Sequence, residues 1–401
     1  IYTLSLHDAL PIYELSIESG SGNMRIFDAL NDIRNLRMAI LATKAYGGKV
    51  EAAMSYTTSP VHTTGYFVDY GKRLLAEGVD RIAIKDMAGL LHPKDAVVLL
   101  PALRKEISIP IVLHTHATTG VSLVNLALAI KYGIDQVDTC ISPFAGGSSH
   151  SPVEVMAVIA ERMGYDHGLD KEAITKAQDV LREIFVELKN STPSFAKGWH
   201  KPVHFEDVPV EKVDRFVEAI MKEPVDLKTA IDLSREIMAD LDYPKYDDRI
   251  FESQIPGGML SNLQNQLKGM GVPEEKFDEV MAEIPAVRAD AGYVPLVTPT
   301  SQIVGVQAAY NVLTGSRYAF TSNEFQMILK GEFGKTPAPC NPKVVEEILG
   351  DDVEVMKYRP ASYLMPVLED SYDLPFVHSR KDLLLHLVFG AAADTFLQSR
   401  K

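Results

Sequence analysis

The chain has 401 residues, 46% hydrophobic and 23% charged, a globular balance whose length suits two or three domains with cores of their own. Its 40 Lys and Arg against 54 Asp and Glu give a formal charge of -14 with no basic run, which argues against a nucleic-acid partner. Cys140 and Cys340 are the only cysteines, in no metal spacing, so a disulfide framework is excluded and a reducing, cytoplasmic setting is expected; no run of 18 apolar residues occurs and the N-terminus has neither a basic stretch nor a long apolar one, so neither a membrane span nor a signal peptide is expected.

Residues 1–12, IYTLSLHDALPI, resemble translated adapter sequence and are expected to be non-native. From there the chain alternates short apolar runs with amphipathic stretches, the βα rhythm of a parallel sheet. The runs are 24–27, 50–56, 81–85, 110–114 and 136–140, spaced as the units of a (β/α)8 barrel are. Helices are predicted over 65–77 and 93–106 between them, and over 152–162 beyond the last. Past residue 168, helical periodicity dominates at 171–188, 210–221 and 274–282. The expected organisation is a partial barrel over 13–168 and a mainly helical domain over 169–401.

Three local patterns carry chemistry. Leu113-His114-Thr115-His116 ends an apolar run, and strand residues two apart point the same way, so both imidazoles face one side at a strand's carboxyl end. Neutral imidazole suits Zn, Mn or Co, and a hydrogen-bonded pair of histidines is the alternative. In Ile82-Ala83-Ile84-Lys85-Asp86 the strand ends in a lysine whose ammonium burial would disfavour; an ion pair with Asp86 or another carboxylate is the alternative. A neutral amine there can act as a base or take up carbon dioxide as a carbamate. In the run from Ser142 to His150, small residues let backbone approach a ligand, and the serines could equally cap the next helix. Arg25 and Asp28, near the end of the first run, are expected to pair with each other or to orient a ligand.

In order, RIFDALND, EAAMSYT, IKDMAGL, LHTH, VDTCISPF and GGSSHSPVE resemble the carboxyltransferase barrel of biotin-dependent enzymes, the family of pyruvate carboxylase, the oxaloacetate decarboxylase alpha subunit and the transcarboxylase 5S subunit. The likeness continues through Gln254 to Leu263 and Leu296 to Gly305, from about residue 13 to the end. It implies an α/β fold: a (β/α)8 TIM-barrel domain lacking about its first three βα units, then a mainly helical C-terminal domain. It implies a divalent metal (Zn, Mn or Co) held by His114, His116 and Lys85 as a carbamate. A carboxyl group would pass between carboxybiotin, supplied by a partner protein, and pyruvate or oxaloacetate.

Ser148 stands where the family places a proton-shuttling Thr hydroxyl, and His150 in place of Gln is closer to the 5S pattern and bears on the acceptor. Arg25 and Asp28 are carried as substrate-binding candidates. The family's Asp ligand in a Leu-Arg-Asp-x-His-Gln-Ser motif and an Arg for the substrate carboxylate have no counterpart here, so impaired activity is expected of this chain. No Ala-Met-Lys-Met biotin-attachment motif is present, which implies a separate biotin carrier protein, with a biotin carboxylase subunit or membrane decarboxylase subunits. A homodimer is expected. An aldol metallolyase related to 3-hydroxy-3-methylglutaryl-CoA lyase fits Lys85 and the helical C-terminal region less well, and a non-catalytic scaffold is the third reading.

Overall fold

A computed structural model describes residues 6–191, 202–243, 246, 268–269, 271, 273–351, 354–359 and 373–400. The first part is a five-stranded, all-parallel sheet in chain order: β1 (Asn23–Phe27), β2 (Lys49–Ser55), β3 (Arg81–Asp86), β4 (Ile111–Thr115) and β5 (Gln136–Val137). Helix α1 (Leu6–Glu18) precedes it, and α2 (Ile33–Ala45), α3 (Thr64–Ala76), α4 (Pro93–Glu106), α5 (Ser122–Lys131) and α6 (Val153–Arg162) follow the five strands in turn. α1 runs through residues 12 and 13, and Ile12 and Tyr13 are both buried.

Local chemistry starts the crossover helices. Asp32 caps α2 by accepting from Arg34 N, and Thr63 caps α3 by accepting from Tyr66 N. Before α4, His92 accepts from Lys94 N, Pro93 occupies the first turn, and Asp95 complements the helix dipole.

Alternation gives the sheet two unlike faces. Val50, Ala52, Met54, Ile82, Ile84, Ile111 and Leu113 are fully buried against the helices. Each large one contributes roughly 1.5–3 kcal/mol by leaving water. The opposite parity carries Arg25, Glu51, Arg81, Lys85 and His114 around a small apolar patch of Ala53, Ala83 and Val112.

The fifth strand is shorter than the run 136–140. Pairing ends at Val137, where Asp138 turns its carboxylate to Arg25 and His114; beyond it an isolated bridge pairs Cys140 with Pro152.

Every described element after this is helical: α7 (Lys171–Ser191), α8 (Val210–Met221), α9 (Leu227–Asp240), α10 (Phe277–Asp290), α11 (Thr300–Thr314), α12 (Asn323–Leu329), α13 (Pro342–Leu349), α14 (Arg380–Phe389) and α15 (Ala391–Ser399), with two 3-10 turns. The cores divide the chain elsewhere than the compositional change at residue 168. Val213, Phe216 and Ile220 of α8 and Leu233 and Ile237 of α9 belong to the sheet's own core, packed on α5 and α6. A second core gathers Val280, Ile284 and Val287 of α10 with Val304, Ala308, Phe325 and Ile328. Buried Arg288 joins the two parts: Nε donates to Val294 O, Nη1 to Thr58 O and Nη2 to Thr57 Oγ1. The motif at 254–263 lies outside the described residues.

Candidate active site and metal centre

The polar side chains gather at the carboxyl ends of β3, β4 and β5, where parallel α/β sheets place ligands. Lys85 sits beside His114 in register. Its side chain is 8% exposed, and Nζ lies 4.6 Å above the Phe27 ring. Burial, then the positive charge of Arg25, pushes the ammonium down to about 8, with Asp138 partly opposing.

The alternative pairing with Asp86 does not form. Asp86 has the opposite parity and accepts from Leu90 N at 2.7 Å, Leu91 N at 3.0 Å and Thr115 Oγ1 at 2.8 Å. Full burial outweighs those bonds and raises its carboxyl to about 6. The loop leaving β3 can pass close to β4 only at a glycine: Gly89 has φ +67°, and a Cβ there would lie 2.7 Å from His116 O.

His114 and His116 meet edge to face with ring centres 5.3 Å apart. A third ring joins them: His150 lies 4.3 Å from His114 and 4.6 Å from His116, centre to centre. One ligand atom from each of the three falls within 4.8 Å of the others. Burial lowers all three imidazoles, His116 to about 3 with His150 adding to the effect, so they are neutral near pH 7.

Asp138 Oδ2 accepts from His114 Nδ1 at 2.8 Å and from Arg25 Nη1 at 2.7 Å. Burial pushes this carboxyl up, but those two bonds prevail and hold it below the usual carboxylate range. Arg25 Nε also binds Glu51, which is 2% exposed in its side chain. The expected Arg25–Asp28 pair is therefore corrected: Arg25 pairs with Glu51 and Asp138. Asp28, 1% exposed, turns its carboxylate to Leu30 N, Asp32 N and Asn35 Nδ2 and so ties down the loop after β1.

Ser148 is exposed, and its carbonyl accepts from His116 Nδ1 at 2.6 Å. The capping alternative for the serines is not realised, because α6 starts at Pro152 with no side-chain cap. Ser142 instead bonds Glu154, and Ser151 bonds Ser122.

Residues 27–181 match the family described as HMGL-like, and residues 250–401 match the conserved carboxylase domain. The pyruvate carboxylase B subunits of Methanocaldococcus jannaschii and Methanothermobacter thermautotrophicus are 37% identical over 385 residues and 35% identical over 389, covering 95% and 96% of this chain. The methylmalonyl-CoA carboxyltransferase 5S subunit of Propionibacterium freudenreichii is 38% identical over 395 residues, covering 96% of this chain and 68% of that one. The chain belongs to the biotin-dependent carboxyltransferase family.

It spans about three fifths of the pyruvate carboxylase B subunits it matches, 59% and 60% of their length. The carboxyl transferase domain of Rhizobium etli pyruvate carboxylase shares the fold, with a TM-score of 0.76 at 22% identity over 99% of this chain and 62% of that one.

In this carboxyltransferase chain Lys85, His114 and His116, singled out from sequence, lie together at adjoining strand ends, while Glu51 and Asp138 were not singled out. Both carried a signal, as charged residues on the inner parity of otherwise apolar runs. That both pair with Arg25 becomes visible only through strand register.

Proposed function

We propose that the chain carries out divalent-metal-dependent transfer of a carboxyl group between carboxybiotin on a separate carrier and a small 2-oxo acid, with pyruvate and oxaloacetate as the pair. The observation that carries this reading is the placement of a desolvated lysine beside two neutral histidines at the carboxyl ends of adjacent strands. His114, His116 and Lys85 would hold the ion, which supplies a Lewis acid to polarise the oxygens of the 2-oxo acid. The donor set fits: the histidines are neutral, and a lysine near 8 has a neutral fraction whose amine can add to carbon dioxide and lose a proton, giving an anionic oxygen donor.

The remaining residues position and move protons. Asp138 accepts the Nδ1 proton of His114 and so directs the other ring nitrogen away from the carboxylate. Arg25, tied to Asp138 and Glu51, keeps positive charge at the site floor and orients an anionic substrate. The exposed hydroxyl of Ser148 is the proton shuttle for the pyruvate methyl. Asp28 serves the site by fixing the loop after β1.

The five βα units are read as a section of a (β/α)8 barrel, supported by the absence of further pairing at β1 and β5 among the described residues and by the shared fold. A biotin carrier, a biotin carboxylase or membrane decarboxylase subunits, and a second copy of this chain are the partners this reading implies. Among the described residues no helix is long and apolar enough to cross a membrane. Oxaloacetate decarboxylation, followed as pyruvate with free biotin and Mn2+ or Zn2+, tests the reading. Slow turnover that biotin stimulates, chelator stops and Lys85→Ala abolishes is expected; turnover indifferent to biotin and chelator overturns it.

A further inference from the structure

The loop after β5 is pinned so that it delivers one particular side chain to the histidine pair. Ala117 N donates to Ser149 O at 2.7 Å, Gly146 N donates to His150 O at 2.7 Å, and the Cys140–Pro152 bridge closes the loop behind them. Gly146 and Gly147, at φ 83° and 54°, allow the reversal. The result is the third ring of the cluster, which the sequence pattern connected only with choice of acceptor.

The hydrogen bonds fix the tautomers. Nδ1 of His116 meets Ser148 O at 2.6 Å, and Nδ1 of His150 meets Thr115 O at 2.9 Å; carbonyls only accept, so both Nδ1 atoms carry the proton. Asp138, ionised, likewise only accepts, so His114 also donates from Nδ1. Arg25 Nη1 also lies 2.9 Å from that same nitrogen, but a protonated Nδ1 has no lone pair to accept with, and Nη1 donates to the Asp138 oxygen at 2.7 Å. Nε2 of every ring therefore keeps its lone pair, and none of the three has a protein hydrogen-bond partner among the described residues. Three half-buried rings, each offering one nitrogen within 4.8 Å of the others, are gathered in one place, and among the described residues no protein group donates to their Nε2 atoms. A cation is the group that satisfies such a set, and anchored Nδ1–H groups are how proteins aim imidazoles at one.

We propose that His150 is a metal ligand, completing a three-imidazole set with His114 and His116 and leaving Lys85 as a fourth, anionic donor once carbamylated. Three histidines with one further position form a recognised site for a four-coordinate divalent ion. The inference rests on the reading that an ion binds at His114 and His116 at all.

The test uses the metal-free full chain titrated with Co2+ and Zn2+. In the Co2+ protein each ligating ring brings its hydrogen-bonded Nδ1 proton close to a paramagnetic centre, so wild type is expected to show three strongly shifted exchangeable resonances. His150→Gln is expected to show two, and to bind Zn2+ at least about tenfold more weakly by calorimetry, since even loss of an outer-shell partner costs about that much. Only two shifted resonances in wild type, with unchanged Zn2+ affinity in His150→Gln, overturn the role of His150 and leave the His114–His116 site standing. No ion bound by wild type, with His114→Ala indistinguishable from it, overturns the underlying reading and the proposal together. The resonance count in wild type stands on its own if the variant fails to fold.

Discussion

The two faces of the five-stranded sheet are cut from the same short runs of sequence, from alternate positions along each strand, and they are built for different ends. One face sets Val50, Met54, Ile82, Ile84, Ile111 and Leu113 into a dry core. The other sets Arg25, Glu51, Lys85, His114 and the trailing Asp138 around a patch of Ala and Val. A single-residue slip in register would exchange them. The contrast teaches that in this chain stability is concentrated on one parity and chemistry on the other, with the chemical face held at some energetic disadvantage.

The largest effect should come from the core face. Ile84→Ala removes a fully buried side chain and is expected to lower unfolding free energy by about 4 kcal/mol in urea titrations while leaving Zn2+ affinity unchanged. A small loss would mean that the two faces are not energetically distinct.

Asp86 lies on the core-side parity but is ionisable, and it sharpens the comparison through pH. Its folded value near 6 stands above the reference 3.8, so its contribution to stability is full below about pH 4 and is lost as pH rises through 6. Relative to Asp86→Asn, wild type should lose about 3 kcal/mol across that window, as a two-unit shift implies, and should change little above it. A flat difference curve would mean that Leu90 N, Leu91 N and Thr115 Oγ1 fully offset the burial of charge.

On the chemical face, Arg25→Met strips Asp138 of a partner and leaves buried Glu51 with Arg81 at 3.9 Å. A destabilisation of about 2 kcal/mol is expected, between the values for exposed and buried pairs, and should be read by thermal unfolding alongside metal affinity. Lys85→Met should have the smallest effect and the opposite sign. The folded lysine titrates near 8 against 10.5, so its penalty is full below pH 8 and is relieved as pH rises toward 10.5. A gain of about 1 kcal/mol at pH 7 that fades above pH 8, with loss of activity, would show a site residue kept against stability. A loss of stability at pH 7 would contradict that view.

Much of this was legible in the sequence. The runs at 24–27, 50–56, 81–85 and 110–114 became β1 to β4 within a residue or two, because buried parallel strands are continuous apolar stretches with clear turns. Lys85, His114 and His116 stood out because a strand's end and its period of two locate side chains without further knowledge. The fifth run ended early because Asp138 is drawn to Arg25 and His114, partners far away in sequence. The pairing of Glu51 with Arg25 and the anchoring of His150 were hidden for the same reason, since register and a folded-back loop decide them. The attachment of α8 and α9 to the sheet's core also depends on packing across long separations, where composition gives no signal.

A divalent ion at the carboxyl ends of β3 and β4 is the centre of the proposed site. Crystals of the chain soaked in Mn2+ and measured for anomalous scattering test it most directly. A peak in ligand contact with His114 and His116, beside Lys85, is the predicted result. A peak elsewhere, or occupied crystals with none at these histidines, would contradict it.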